Sequence, residues 1–267
     1  MSATTVAGAA ADPAVGPIAD PAVDPAVDPA VAYPETVPEV SESFLHTSVR
    51  FQAFSALRGH FEGRPGCFVG SDFNVYYRPL PAPAFVEPDL FVSFGVDPAA
   101  LESDFSYRLW DAGAPPAFVV EIASKSTHRK DLHVKPAIYL EMGTSEYWCF
   151  DPTGGFYAPS LRGARRAGDA WEPIEVALDG EGRLRGRSGV LGLDLCAEES
   201  RLRFWDPRTA AWVPDHDDTR RALQRTSGQR DAEAAARRAA EQRATAAEAE
   251  LAALKAQLAE AANDAVP

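Results

Sequence analysis

Apolar side chains recur at helical spacing from residue 43 to about residue 62, at Phe44, Leu45, Val49, Phe51, Phe54 and Leu57. That spacing predicts a helix with one buried face, capped by Ser41 or Ser43 and closed near Gly59 or Gly63. The pattern then changes to short runs rich in β-branched and aromatic residues. Residues 67–69, 73–77, 89–94, 117–123 and 146–151 read as strands. Residues 79–88 and 97–117 read as connections. Helical spacing returns over roughly 128–142, with Ser126 or Thr127 to cap it and Gly143 to end it. Pro136 lies inside this segment and predicts either a kink or the first turn of a helix that starts later. Beyond Pro152, residues 171–178, 190–196 and 201–205 read as strands of antiparallel hairpins. Residues 219–262 are rich in Ala, Glu and Arg and contain no Pro or aromatic residue. Leu251, Leu254 and Leu258, with Ala244 and Ala247 one heptad earlier, predict a long helix with a weak coiled-coil seam.

Composition separates residues 1–40 from this pattern. Asp-Pro-Ala-Val occurs at 12–15, 20–23, 24–27 and 28–31. Frequent proline blocks helix and sheet, and the side chains are too small to build a core, so a disordered, extended tail is expected. The net charge of −13 argues at first against a nucleic-acid partner. Residues 1–40 carry −6 of it, residues 41–214 carry −5 and residues 215–267 carry −2. The central segment is therefore only mildly acidic, and Arg129 and Lys130, with Arg162, Arg165 and Arg166 in a later loop, offer it local phosphate contacts. Cys67, Cys149 and Cys196 lie in apolar surroundings without metal-ligand spacing, as reduced core cysteines of a cytoplasmic protein would. No run is long and apolar enough to span a bilayer, and none begins as a secretory signal does.

The chemistry concentrates in two acids. Asp89 follows Pro88, and Glu121 interrupts Phe118-Val119-Val120 before Ile122. An ionised carboxylate in such a run is costly unless it is paired or binds a metal. Two of them on neighbouring strands could share one hard divalent cation. The order acid, strand, acid, helix with lysine, strand suggests a metal-dependent phosphodiesterase core. Simpler roles are open at each position. Asp89 fits a turn, Lys135 with Asp131 fits a helix ion pair, and Asp72 fits a cap or turn. Tyr139 fits helix packing, with a phosphate contact as its alternative. His46 fits a satisfied polar residue, with an approach to the site as the alternative. Tyr147 and Trp148 fit core strand positions.

Residues 88–92, 118–127, Asp131, Lys135, Tyr139, Gly143 and 146–152 together resemble the Uma-type restriction endonuclease family of the PD-(D/E)XK nuclease superfamily. The resemblance runs over about residues 41–214 and extends to the Ala/Glu/Arg-rich helix that follows. It implies an α/β fold: a restriction-endonuclease-like mixed sheet flanked by helices, here followed by C-terminal β-hairpins and the long helix. It also implies Mg²⁺- or Mn²⁺-dependent hydrolysis of DNA phosphodiesters. By that mapping Asp89, Glu121 and the main-chain carbonyl of Ile122 are metal ligands. The superfamily often adds an acid from the first helix, where Glu42 or His46 stands.

One departure is plain. In an E-x-K motif the lysine shares a strand face with the glutamate, and here that position is Ala123. Lys135, at the family's helix-lysine position, is the first replacement and Lys125 the second; Lys130 points away from the Asp131/Lys135 face. A non-catalytic nuclease fold that binds through its C-terminal helix is the competing reading, and a homo-oligomer through that helix is a further expectation.

Overall fold

The structure, a computed structural model, describes residues 43–102 and 106–264, with side chains through residue 257. The expected tail at 1–40, together with Ser41 and Glu42, lies outside the described residues, as does the side chain of Leu258. Helix α1 spans Phe44–His60, and the Ser43 hydroxyl accepts the His46 N–H at 3.2 Å. This satisfies one of the amide donors that a helix start leaves open. The buried stripe His46, Val49, Ala53, Ala56 and Leu57 faces inward.

Six strands form the main sheet: β1 (Cys67–Gly70), β4 (Leu90–Phe94), β6 (Phe118–Ile122), β7 (Glu146–Phe150), β8 (Leu161–Ala167) and β9 (Ala170–Ile174), in that spatial order. Only β6 and β7 run parallel; the other neighbours are antiparallel. A smaller sheet pairs β2 (Asn74–Arg78) with β3 (Ala84–Val86) and β5 (Ser106–Arg108). Five antiparallel strands follow: β10 (Val176–Leu178), β11 (Leu184–Arg187), β12 (Asp194–Glu198), β13 (Arg201–Asp206) and β14 (Ala211–Trp212). Short helices α2 (Pro98–Glu102) and α3 (Leu109–Ala112) fill the connection expected to be irregular.

Both faces of the main sheet are covered, and β6 shows why its sequence is a continuous apolar run. Phe118, Val120 and Ile122 join a core with Val49, Leu57, Leu195 and Phe204, which come from α1 and the five-stranded sheet. Val119 joins a second core with Phe68, Tyr107, Tyr139 and Tyr147 on the opposite face. A strand buried on both sides loses the alternation that marks a half-exposed one.

Several elements differ from expectation. The predicted helix over 128–142 is two helices, α4 (His128–His133) and α5 (Lys135–Met142), with Pro136 in the first turn of the second. Proline lacks an N–H, so it is tolerated at a helix start and not inside one. The predicted strand 171–178 divides at Glu175 and passes from one sheet to the next. Residues 190–193 form a turn rather than strand, closed by the bond from Gly192 N–H to Ser188 C=O at 3.1 Å. Arg162, Arg165 and Arg166 lie on β8 and not in a loop.

The two larger sheets are joined under Trp148. Its indole N–H donates to Glu146 Oε2 at 3.1 Å, and Glu146 Oε1 accepts the N–H groups of Gly189 at 2.8 Å and Val190 at 3.1 Å. A Cβ on Gly163 would lie 2.6 Å from the Trp148 ring, and one on Gly186 would lie 2.9 Å from it. Helix α6 (His216–Asp264) begins against α1, where Gln52 donates to Asp217 at 3.2 Å. Its described side chains from Arg220 onward are exposed, Leu251 and Leu254 included, so the expected seam meets no neighbour among the described residues.

Gly163→Ala is expected to lower stability by about 1–3 kcal/mol through overpacking against Trp148. Urea unfolding followed by tryptophan fluorescence checks this; a midpoint equal to wild type would contradict the packing.

Candidate active site

The antiparallel register sets Leu90 opposite Val120, which brings Asp89, just before β4, beside Glu121 in β6. The Asp89 N–H points to Glu121 Oε2 at 3.4 Å. Asp89 Oδ2 accepts the Ile122 N–H at 2.6 Å, and the Asp89 carbonyl accepts from Ser71 Oγ at 2.7 Å. Glu121 is fully buried on the face that carries α5.

Lys135 is the first residue of α5. Its ammonium lies 2.8 Å from Glu121 Oε2 and 3.1 Å from Asp131 Oδ1, and 3.5 Å from the Glu87 carbonyl. A helix lysine thus brings its charge to the glutamate that Ala123 leaves without one. Lys125 is exposed in the turn after β6, and Lys130 is exposed on α4. Tyr139 spends its hydroxyl on Glu121 Oε1 at 2.5 Å and is fully buried. Tyr147 donates to the Asp131 carbonyl at 2.6 Å, and Tyr157 to Asp131 Oδ2 at 3.4 Å. Trp148 is core, as expected.

The structure also brings His46 to these groups. Its Nε2 lies 2.9 Å from the Ile122 carbonyl oxygen and 3.4 Å from Asp89 Oδ2. A sequence signal existed, because His46 shares the buried face of α1 with Val49 and Ala53. Tyr157 had no such signal, since only the fold carries it to Asp131. Asp72 is turned to Arg50, 2.7 Å away, and adopts φ of 62° in its turn.

Two buried carboxyl groups, Glu121 and Asp131, and the half-buried Asp89 face one ammonium here. Burial pushes the Glu121 carboxyl up to about 8, with Asp89 and Asp131 adding to the rise and Lys135 opposing it. Asp131 is also raised, chiefly by burial. Burial would raise Asp89 too, but the His46 hydrogen bond and charge, Lys135 and the Ile122 N–H hold it below the usual range. Lys135 stays firmly charged, because the three acids outweigh its desolvation. The cluster therefore retains a proton at neutral pH and presents hard oxygen donors. That chemistry fits a divalent cation. Among the described residues, no group of three His, Cys, Asp or Glu side chains is arranged to hold a metal ion.

The sign of the pH effect follows. Between 4.5 and about 8, folded Glu121 holds a proton that the unfolded chain has lost, so stability falls as pH rises through that window. Glu121→Gln is expected to flatten this slope and to remove a protonated-carboxyl infrared band present in wild type near about pH 6. A band that persists in the variant would contradict the assignment.

No curated protein matches the chain. One solved structure, described as "a putative nuclease belonging to DUF820" from Anabaena variabilis, is 12% identical, covering 52% of this chain and 74% of its own with a TM-score of 0.37. That likeness is too slight to argue from. The model of the family Uma2, described as "Putative restriction endonuclease", matches residues 28–198, which is more than half of the sequence, and the chain belongs to that family.

Proposed function

We propose that this member of a nuclease family is a divalent-metal-dependent endonuclease that hydrolyses DNA phosphodiester bonds. The observation that carries the reading is the meeting of Asp89, Glu121 and the Lys135 ammonium at the ends of adjacent strands, with Lys135 2.8 Å from Glu121. Asp89, Glu121 and the Ile122 carbonyl would hold Mg²⁺ or Mn²⁺. When bound, the ion supplies Lewis-acid polarisation of the scissile phosphate and a lowered pKa for water.

The chain's own groups divide the remaining work. Lys135 orients the attacking water and offsets the charge that builds on the phosphoryl oxygens. Asp131 holds that ammonium from the preceding helix α4, and Tyr139 fixes the Glu121 carboxyl by a hydrogen bond to its other oxygen. Glu121 gives up its proton as the centre is loaded, since a carboxylate must be ionised to ligate. Hydrolysis is then a single displacement without a covalent enzyme intermediate. The exposed Arg129 and Lys130 lie on α4, the helix that carries Asp131, and would serve as phosphate contacts. No described helix is long and apolar enough to cross a membrane. A homo-oligomer would use the exposed Leu251 and Leu254 of α6.

Cleavage of plasmid and of single-stranded DNA in Mg²⁺ and in Mn²⁺ tests the proposal. Asp89→Ala and Glu121→Ala are expected to abolish activity while retaining a cooperative melt. Lys135→Ala is expected to lower it about 10²-fold or more, and by more than Lys125→Ala does. Equal activity in wild type, Asp89→Ala and Glu121→Ala would sink the assignment.

A further inference from the structure

We infer that α6 pairs with α6 of a second copy of this chain, as a parallel, in-register coiled coil. The inference rests on the oligomer reading above and gives it an orientation, a register and the charges that set both.

The leucines of α6 supply the frame. Leu223, Leu251, Leu254 and Leu258 are its only large aliphatic residues, and all four fall on the a and d positions of one heptad repeat. Leu223 stands four whole heptads before Leu251. On a straight helix that repeat drifts by about 20° per heptad, so the two leucines share a line only where helices wind about each other. Leu223, Leu251 and Leu254 are all exposed. Ala240, Ala244 and Ala247 take the seam positions between them and let two helices approach closely. Arg230, Glu233 and Arg237 take the remaining ones in alternating sign, so a seam layer of one charge is followed by a layer of the other.

The flanking charges point to a second copy as the partner. In a parallel pair, position g of one helix meets position e in the next heptad of the other. Those positions hold Arg243 with Glu248, and Glu250 with Lys255, and two-fold symmetry makes each pair twice. No g–e pair of the frame joins like charges, so the helix is complementary to itself. An antiparallel pair serves the sequence less well. Setting Leu251 against Leu254 of the partner also sets residue 241 against residue 264, which overlaps half of the helix and leaves Leu223 outside. The root of α6 packs on α1, where the Phe51 and His216 rings meet edge to face at 5.6 Å. A parallel pair therefore holds both copies of the candidate active site at one end of the rod, whereas an antiparallel pair holds them at opposite ends.

Sedimentation equilibrium of the full chain, with oxidative crosslinking of added cysteines, tests this. Wild type is expected to be dimeric at about 100 µM, and Leu251→Glu combined with Leu254→Glu to weaken the dimer at least about tenfold with an unchanged melt. Ala247→Cys, at a d position, is expected to form an intermolecular disulfide far faster than Thr245→Cys, at the outer b position. Cys67, Cys149 and Cys196 are buried, so the added thiol is the accessible one. Arg243→Glu is expected to weaken the dimer, and Glu248→Arg added to it to restore the affinity. A monomeric wild type would overturn the oligomer reading and this pairing with it. A dimer that survives the two leucine substitutions would remove α6 as the interface. A dimer in which Ala247→Cys crosslinks no faster than Thr245→Cys would overturn the parallel orientation alone.

Discussion

A glutamate with no solvent exposure in the middle of a sheet is the constraint around which this centre is arranged. Charge in that position costs several kcal/mol unless something meets it, and the chain meets it from three directions. Lys135 brings an ammonium from the start of α5, Tyr139 a hydroxyl from the same helix one turn later, and Asp89 a main-chain N–H from just before β4. Each donor depends on a separate structural decision. The ammonium arrives because the helix restarts at Lys135, and the restart is where Pro136 is tolerated. The N–H arrives because β4 and β6 are antiparallel in a register that sets Leu90 against Val120. Moving either element by one residue would leave the glutamate with too few partners.

The three donors do not neutralise the site. Asp89 and Asp131 add charge of the same sign, so the acid cluster keeps a proton and holds its lysine firmly charged. A protein selected only for stability would do better with an apolar residue at 121, since a buried charge network rarely outperforms good packing. A cluster kept at that cost is what a functional centre looks like physically.

Much of the fold could be read from residues alone, and the exceptions have identifiable causes. The run around Glu121 was plain because a strand buried on both faces is apolar throughout. Strand β8 was not, since Leu161-Arg162-Gly163-Ala164-Arg165-Arg166-Ala167 is mostly polar, and it is held by pairing with β7 and β9 rather than by burial. Strands β3 and β5 hid in segments whose prolines and turns read as connections, because each is only three residues long. The split at Glu175 is invisible in a periodicity that carries on smoothly through it. Within the centre, Asp89 and Glu121 stood out by their cost. Lys135 emerged as a candidate by matching a family pattern, and His46 needed the distance to Ile122. Tyr157 could not be found from sequence, since nothing local ties it to an aspartate 26 positions earlier.

Helix α6 has a consequence for the charge of the whole molecule. Its 49 residues rise about 1.5 Å each, so its far end stands about 70 Å from its root. Charges interact across roughly 8–10 Å at physiological ionic strength before salt cancels them. Glu248 and Glu250, far along the helix, are therefore electrically silent at the sheet. Residues 215–267 carry only −2 of the −13, so the rod adds little to the charge near the sheet, and a polyanion approaching Asp89 and Glu121 would feel mainly the charges within a few residues' reach of them.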